Sequence, residues 1–256
     1  MNMKSLSALL IFCVVCLVFH LNNNIAAQEN PLFIATESNA PPFSDKNYFN
    51  GGYTTEIIRS ALENAGYSVE FKFVPFARGF ALLKDGVYAG MAALYYTDER
   101  AKTIAYTEPI AQDDQVFFQL KGRGISYQGN LHTLQSYKIG VVRSYAYSKE
   151  FEEAGFLNKI VSSSPEKNIN LLLHKRIDLL IESEKVIIYL LQTKFPEQKD
   201  AMEVLAPPVK TQLLYVGFSK KHPKHKQLVA DFNRRLKIIK EDGTMKNINE
   251  KYDFRH

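Results

Sequence analysis

The chain carries, at residues 89–100, the stretch AGMAALYYTDER, in which an apolar run leads into a helix start. Residues 89–93 have the length and composition of a buried strand. Thr97 predicts a helix cap, because a threonine hydroxyl accepts a hydrogen bond from the free backbone N–H groups of a first helical turn. A strand whose carboxyl end leads into a helix is typical of the edge at which open α/β sheets bind small molecules.

Arg100 is the unusual residue of this helix start. A cation in the first turn faces free backbone N–H groups and the positive end of the helix dipole, a position that favours anions. We therefore expect Arg100 and the helix start to hold a carboxylate together, since the planar guanidinium supplies a matching pair of donors. The alternative is an exposed arginine that pairs with Glu99 or Glu108.

The first 27 residues have the order of a secretory signal peptide. Lys4 precedes an apolar run at residues 8–21, and a short polar segment ends at Ala27. The apolar run is shorter than the ~20 residues that span a bilayer. We expect cleavage near Ala27; the alternative is an anchoring transmembrane helix.

Cysteine and charge exclude several kinds of site. Both cysteines, Cys13 and Cys16, fall within the signal segment, so the mature chain has no thiol for a disulfide, a metal or a nucleophile. The pair His222 and His225 lies in a lysine-rich stretch without a carboxylate partner, and we expect no metal and no cofactor.

The chain carries a formal net charge of +5, but its basic cluster at residues 220–226 has no interleaved aromatic residues. We expect no nucleic-acid binding.

Short β-rich runs alternate with helical patterns, which predicts an α/β protein with mainly parallel sheets. The predicted strands are residues 32–35, 69–73, 89–93, 115–120, 138–142, 160–162, 177–181 and 213–218. The predicted helices are residues 54–65, 76–84, 149–154, 166–174, 184–193 and 226–240, with a short one after Gly243. The pattern restarts near residues 111–115 without a flexible linker, which predicts two units joined by a strand crossing.

A series of short motifs runs through nearly the whole mature chain. They are PPF at 41–43, Gly52 with Glu56, Gly66 with VEF at 69–71, PFAR at 75–78, GVY at 86–88, TDER at 97–100, YTEP at 106–109, IGVV at 139–142, RID at 176–178 and EDGT at 241–244. In this order and spacing the chain resembles the bacterial extracellular solute-binding proteins of family 3, which include the polar amino-acid receptors of ABC importers.

The resemblance implies a type II periplasmic-binding-protein fold, with two lobes joined by a double-crossing hinge. Lobe 1 would comprise residues 28–112 and 215–256, and lobe 2 would comprise residues 113–214, each boundary being given to within about five residues. The lobes are expected to close on a ligand in the cleft between them.

The resemblance also implies a ligand site. Arg100 matches the family's arginine that grips the ligand's carboxylate, Thr97 is the helix cap with a hydroxyl near the site, and Tyr95 stands where the family often has serine or threonine. The other candidate ligand contacts are Phe43, Tyr53, Phe76, Arg78, Ala93, Tyr145 and Ser183.

Ser183 departs from the family pattern. Amino-acid receptors usually place an aspartate at this position, where it pairs with the ligand's amine, and a neutral hydroxyl does not offset a desolvated ammonium as a carboxylate does. Alternation along an extended segment predicts that Glu182 and Glu184 point away from where Ser183 points. The alternative is that a turn at the end of the strand redirects one of them. The expected ligand is a small carboxylate-bearing molecule, either an amino acid or a related acid.

Three functions follow from these features. The leading one is a monomeric periplasmic receptor that delivers its ligand to an ABC importer through a membrane permease. The second is a sensor of the same fold that presents its bound form to a signalling membrane protein. The third is a cleft enzyme such as a dehydratase, with Glu182 or Glu184 as acid or base. Because the sequence has no nucleophile or phosphate-binding motif, we expect that the protein is not an enzyme.

Overall fold

A computed structural model describes residues 30–252 of the chain. The predicted signal segment, its cleavage site and the alternative of an anchoring helix lie outside these residues. Within the described part of the chain, each helix is too short or too polar to cross a membrane.

The secondary structure alternates as the sequence predicts. The strands of the described chain are β1 (Leu32–Glu37), β2 (Asn39–Ala40), β3 (Ser44–Asp45), β4 (Val69–Val74), β5 (Gly90–Tyr95), β6 (Ile104–Tyr106), β7 (Ala111–Leu120), β8 (Lys138–Val142), β9 (Asn158–Ser162), β10 (Leu179–Ser183) and β11 (Met202–Ser219). The helices are α1 (Tyr53–Glu63), α2 (Phe76–Asp85), α3 (Asp98–Ala101), α4 (Lys149–Glu153), α5 (Pro165–Leu173), α6 (Glu184–Thr193), α7 (His225–Glu241) and α8 (Thr244–Lys251). Short 3-10 helices lie at Phe49–Gly51, Leu131–Leu134 and Pro196–Gln198.

The strands form two lobes that share two long strands. The order across the sheet is β4-β1-β5-β11-β7-β10-β8-β9, with β6 beside β11. The first lobe is built on the parallel pairs that β1 makes with β4 and β5, and the second on those that β8 makes with β10 and β9. Antiparallel pairs of β7 and β11 join these groups, and β7 pairs with β11 along most of its length. This is the two-lobed arrangement expected of the type II fold, but the sheet is mixed rather than mainly parallel, because β7 and β11 run antiparallel to their neighbours.

The long strands account for the main differences from the predicted elements. Residues 213–218 form only the end of β11, which begins at Met202, and β7 begins at Ala111 rather than residue 115. The first half of β7 holds four consecutive polar residues at 112–115, and the first half of β11 is interrupted by Pro207 and Pro208. Neither pattern is typical of a strand, so the sequence did not mark these halves. The strands β2, β3 and β6 were not predicted, and the lobe boundaries at residues 112 and 214 stay predictions.

The core lies between the sheet and its helices. On α1, the predicted stripe of Ile57, Ile58, Ala61 and Leu62 is fully buried, as expected for an amphipathic helix. The helix α7 packs on α1 from the other chain end, so both ends of the chain build the first lobe.

Replacing Phe232 by alanine is expected to lower the free energy of unfolding by about 3–5 kcal/mol, because the change leaves a cavity in a close-packed core. Phe232 on α7 has no exposed surface, and the centroid of its ring lies 6.5 Å from that of the Phe218 ring. The control is Ile238→Ala on the same helix, where the side chain is 39% exposed. Urea denaturation of both variants measures the effect; an equal loss in the two would contradict this account of the core.

Candidate functional site

A cavity lies at the carboxyl end of β5, between the two lobes. It encloses about 420 Å³ of empty space, open solvent at its mouth included. Its lining residues are Ala40, Phe43, Phe76, Ala93, Tyr95, Arg100, Asp113, Tyr145, Ala146, Glu182, Ser183, Val186 and Leu214. The wall is therefore mostly apolar and aromatic, with one cation and two carboxylates.

Arg100 lies at this cavity as a buried cation. Thr97 caps α3 by accepting a hydrogen bond from the Arg100 backbone N–H at 3.1 Å, which places the guanidinium beside the end of β5. The side chain is only 7% exposed. It donates from Nη1 to the Tyr95 carbonyl at 3.0 Å and from Nη2 to the Ser144 carbonyl at 2.7 Å.

The acceptors of Arg100 are neutral, so they satisfy its donors without offsetting its charge. Burial lowers the pKa of Arg100 from its ordinary value, which reflects the cost of taking a cation out of water. Other arginines of the chain pair with acids, as Arg59 does with Glu63, but none of the ion pairs found within residues 30–252 includes Arg100. A buried guanidinium in this state attracts an anion. The alternative of an exposed Arg100 paired with Glu99 or Glu108 is wrong.

Aromatic rings hold the guanidinium in position. Its central carbon lies 4.9 Å from the centroid of the Phe80 ring and 5.4 Å from that of Phe76, within the range of cation–π attraction. Phe76 in turn meets the edge of Tyr145 across the cavity, with ring centroids 4.8 Å apart. These contacts restrict the rotamers of Arg100, and a pre-positioned donor loses less entropy when it binds a ligand.

The backbone departs from regular conformation on both sides of the cavity. Ala93 in β5 has a φ of 55° and Ser144 after β8 has a φ of 64°, a left-handed region that residues other than glycine rarely adopt. The partner strand β11 shifts register between Tyr215 and Gly217, beside Ala93. Strained positions of this kind concentrate at functional sites, and here one of them supplies the carbonyl that accepts from Arg100.

Two buried carboxylates line the cavity. Asp113 accepts hydrogen bonds from the Tyr95 hydroxyl at 2.6 Å and from the Ser183 hydroxyl at 2.8 Å, and burial raises its pKa to about 6. Glu182 accepts at Oε1 from the Ser183 backbone N–H at 2.8 Å. Its Oε2 is buried and has no hydrogen-bond partner within the described part of the chain. Burial raises the pKa of Glu182 well above its ordinary value.

A third carboxylate, Glu37, lies at the end of β1 close to the cavity. It accepts a hydrogen bond from the Tyr145 hydroxyl at 2.6 Å, and burial raises its pKa to about 7. Within residues 30–252, no group of three or more acidic, histidine or cysteine side chains is placed to hold a metal ion.

The buried carboxylates are expected to make the protein less stable as the pH rises from about 4 to about 7. Folding raises the pKa of Asp113 from 3.8 to about 6, so the unfolded chain releases this proton first and stability falls with rising pH. A shift of that size corresponds to about 3 kcal/mol. The difference in unfolding free energy between wild type and Asp113→Asn isolates the effect, with Asp200→Asn at an exposed position as control. A difference that stays constant across this pH range would contradict it.

Most of the predicted ligand contacts meet at this one cavity. Those that line it are Phe43, Phe76, Ala93, Tyr95, Arg100, Tyr145 and Ser183. The lining residues that the sequence did not suggest as ligand contacts are Ala40, Asp113, Ala146, Glu182, Val186 and Leu214. The sequence offered no signal for Asp113, because the predicted strand began at residue 115 whereas the observed strand begins at Ala111.

Glu182 does not point away from the site as strand alternation predicts; it follows the alternative in which a turn redirects one neighbour of Ser183. Ser183 is the N-cap of α6, and its hydroxyl accepts from the Val186 backbone N–H at 3.3 Å. The extended alternation ends at this turn, so Glu182 and Ser183 both reach the cavity. The carboxylate that Ser183 lacks is therefore present one residue earlier.

Tyr53, Arg78 and Thr97 do not line the cavity, contrary to expectation. Tyr53 is 1% exposed at the start of α1, and its hydroxyl donates to Asn249 at 2.9 Å, which makes it a core residue. Arg78 is exposed because α2 buries the opposite face. Thr97 acts as a helix cap only.

Comparison with known proteins gives two relatives over almost the full chain. A probable amino-acid-binding protein of Bacillus subtilis, YxeM, is 22% identical over 273 residues, which cover 98% of this chain and 96% of the relative. A probable histidine-binding protein of Campylobacter jejuni is 25% identical over 258 residues, which cover 95% of this chain and 94% of the relative.

Solved structures share the fold. A histidine kinase sensor domain with similarity to periplasmic binding proteins has a TM-score of 0.78 and 19% identity, covering 87% of this chain and 96% of that one. The substrate-binding protein of an amino acid ABC transporter has a TM-score of 0.76 and 17% identity, covering 88% and 100%. Residues 32–256 match the family described as bacterial extracellular solute-binding proteins, family 3, and the chain belongs to that family.

Proposed function

We propose that this protein is a periplasmic receptor for an amino acid, which binds with its carboxylate at Arg100 and its ammonium at Glu182. One observation carries the proposal. A buried cation with neutral acceptors only and a buried carboxylate oxygen without a donor line the same cavity, within the described residues. An amino acid carries one charge of each sign on a single small molecule, so it offsets both.

The charges of the cavity favour an amino acid with a cationic side chain. When Asp113 and Glu182 are both ionised, they place two negative charges against the one guanidinium of Arg100, so a zwitterion leaves an excess negative charge and a cationic amino acid removes it. The rings of Phe43, Phe76 and Tyr145 supply faces for its apolar stem or a planar head group. The C. jejuni relative is named a probable histidine-binding protein, which agrees with this choice.

A thermal-shift and calorimetric panel tests the proposal. Arginine, lysine, ornithine and histidine are expected to stabilise the protein by about 2.7 kcal/mol at 100 times their dissociation constants. Agmatine, which lacks the carboxylate of arginine, and glutamate, which has a second one, are expected to bind far more weakly. A response confined to dicarboxylates would contradict the proposal. Turnover of any compound, followed by NMR, would support the dehydratase alternative instead.

We further propose that the receptor delivers its ligand to an ABC importer. The fold is shared with the substrate-binding protein of an amino acid ABC transporter, and closure of two lobes gives a permease a bound state to recognise. A second candidate is a sensor, because the fold is also that of a histidine kinase sensor domain. Uptake of labelled ligand into cells with and without the gene decides between them. Loss of uptake supports transport, whereas unchanged uptake with a lost transcriptional response supports sensing.

A further inference from the structure

The hydrogen bond between Tyr145 and Glu37 links the two lobes directly. Glu37 ends β1 in the first lobe, and Tyr145 follows β8 in the second, 108 residues along the chain. Beside it, Arg100 of the first lobe donates to the carbonyl of Ser144 at 2.7 Å. Two successive residues of one loop thus carry polar bonds across the cleft.

The ring and the hydroxyl of Tyr145 make different contacts. Its ring lines the cavity and packs edge-on against Phe76, while its hydroxyl is bonded to Glu37, which does not line the cavity. The hydroxyl therefore contributes to closure, and the ring alone contributes to the wall of the site. The hydroxyl of Tyr145 therefore has a positioning role, whereas its ring is the part that can contact a ligand.

We propose that the Tyr145–Glu37 hydrogen bond is a closure latch that sets ligand affinity from outside the ligand site. A short bond between a hydroxyl and a buried carboxylate is among the stronger hydrogen bonds, and it exists only when the lobes meet. Apparent affinity scales with the fraction of molecules in the binding-competent state. The latch raises affinity by raising that fraction, and its role in affinity rests on the proposed receptor function.

The surroundings of Glu37 make the latch sensitive to pH. Among the described residues, the titratable groups that interact with it are Tyr145, Tyr147 and Glu182, and burial raises the pKa of Glu37 to about 7. The hydroxyl donates to the ionised carboxylate, so the bond is strongest above that pH.

Tyr145→Phe is the decisive variant, because it removes the hydroxyl and keeps the ring. We expect it to raise the dissociation constant about 5- to 20-fold, mainly through faster ligand release. Tyr127→Phe, whose ring packs against Phe117 within the second lobe, is the matched control. In a Glu37→Ala background the further change Tyr145→Phe should have almost no effect, since the two residues act as a pair.

A distance measurement keeps the test independent of the ligand. Spin labels on cysteines introduced at exposed Asn64 and Lys167 report the separation of the lobes in the unliganded protein. Tyr145→Phe is expected to shift the distribution toward longer distances, more so at pH 8 than at pH 6. An unchanged distribution, or the same affinity loss with and without Glu37, would overturn the latch. A shifted distribution in a protein that binds no amino acid would support the latch and refute the proposed function.

Discussion

Replacing Arg100 by alanine is expected to weaken amino-acid binding at least about 100-fold, which corresponds to about 2.7 kcal/mol. The guanidinium is buried, its present acceptors are two carbonyls, and none of the ion pairs found within residues 30–252 includes it. A carboxylate ligand offsets that charge through bonds stronger than those between neutral groups. Arg100→Lys keeps the charge without the planar fork, so we expect an intermediate loss.

A ligand variant shows which part of the ligand Arg100 holds. Arginine amide lacks the carboxylate, so Arg100→Ala should lower the affinity for the amide by only a few fold while it abolishes tight binding of arginine itself. Isothermal titration calorimetry measures both, and Arg143→Ala, at an exposed position beside Ser144, is the control. Equal losses for the acid and its amide would show that Arg100 does not hold the carboxylate.

Arg100 shows what a sequence can reveal about a site. Its position breaks the rule that anions favour a helix start, and the conflict is local, so it is visible before any fold is known. The structure explains the exception, because the arginine turns into the cleft and the capping Thr97 satisfies the helix end. Local patterns of apolar and capping residues likewise predicted helices such as α6, which the structure has at Glu184–Thr193.

The acids of the cavity could not be predicted in the same way. Asp113 lies on a strand that crosses between the lobes, and its neighbours at the site, Tyr95 and Ser183, come from opposite lobes. Only the tertiary fold brings these three together. Strand alternation alone predicts the wrong side for Glu182, because the N-cap turn begins at Ser183. Tyr53 was assigned to the site as an aromatic residue, but helix α1 turns it into the core.

Replacing Glu182 by glutamine is expected to lower the affinity for a cationic amino acid about 30- to 100-fold near pH 8, which corresponds to about 2–3 kcal/mol. The free Oε2 is buried at the cavity, and a glutamine there offers an amide in place of the charge that an ammonium requires. The neighbouring Glu184→Gln is the matched control, because Glu184 lies outside the cavity.

The affinity for a cationic ligand is also expected to depend on pH, and Glu182→Gln should weaken this dependence. A ligand cation favours the ionised form of the nearby carboxylates, so binding releases protons, and affinity falls as the pH is lowered from about 8 to about 5. Within this range Asp113 takes up its proton near pH 6, and Glu182 does so at a higher pH than an exposed glutamate. Calorimetry in two buffers of different ionisation enthalpy measures the proton release, which Glu182→Gln should reduce. Affinity that does not change with pH in the wild type would contradict the assignment.

Stability separates a ligand contact from a structural role for Glu182. Its ionised form is costly in the folded protein because burial is the largest cause of its raised pKa. Glutamine removes that cost, so Glu182→Gln should raise the free energy of unfolding at pH 8 while it weakens binding. If Glu182 were kept for the fold, its replacement would lower the free energy of unfolding instead. A binding residue commonly costs stability in this way, because it is kept for function. Urea denaturation without ligand, beside the calorimetry, therefore decides whether Glu182 serves the ligand or the fold.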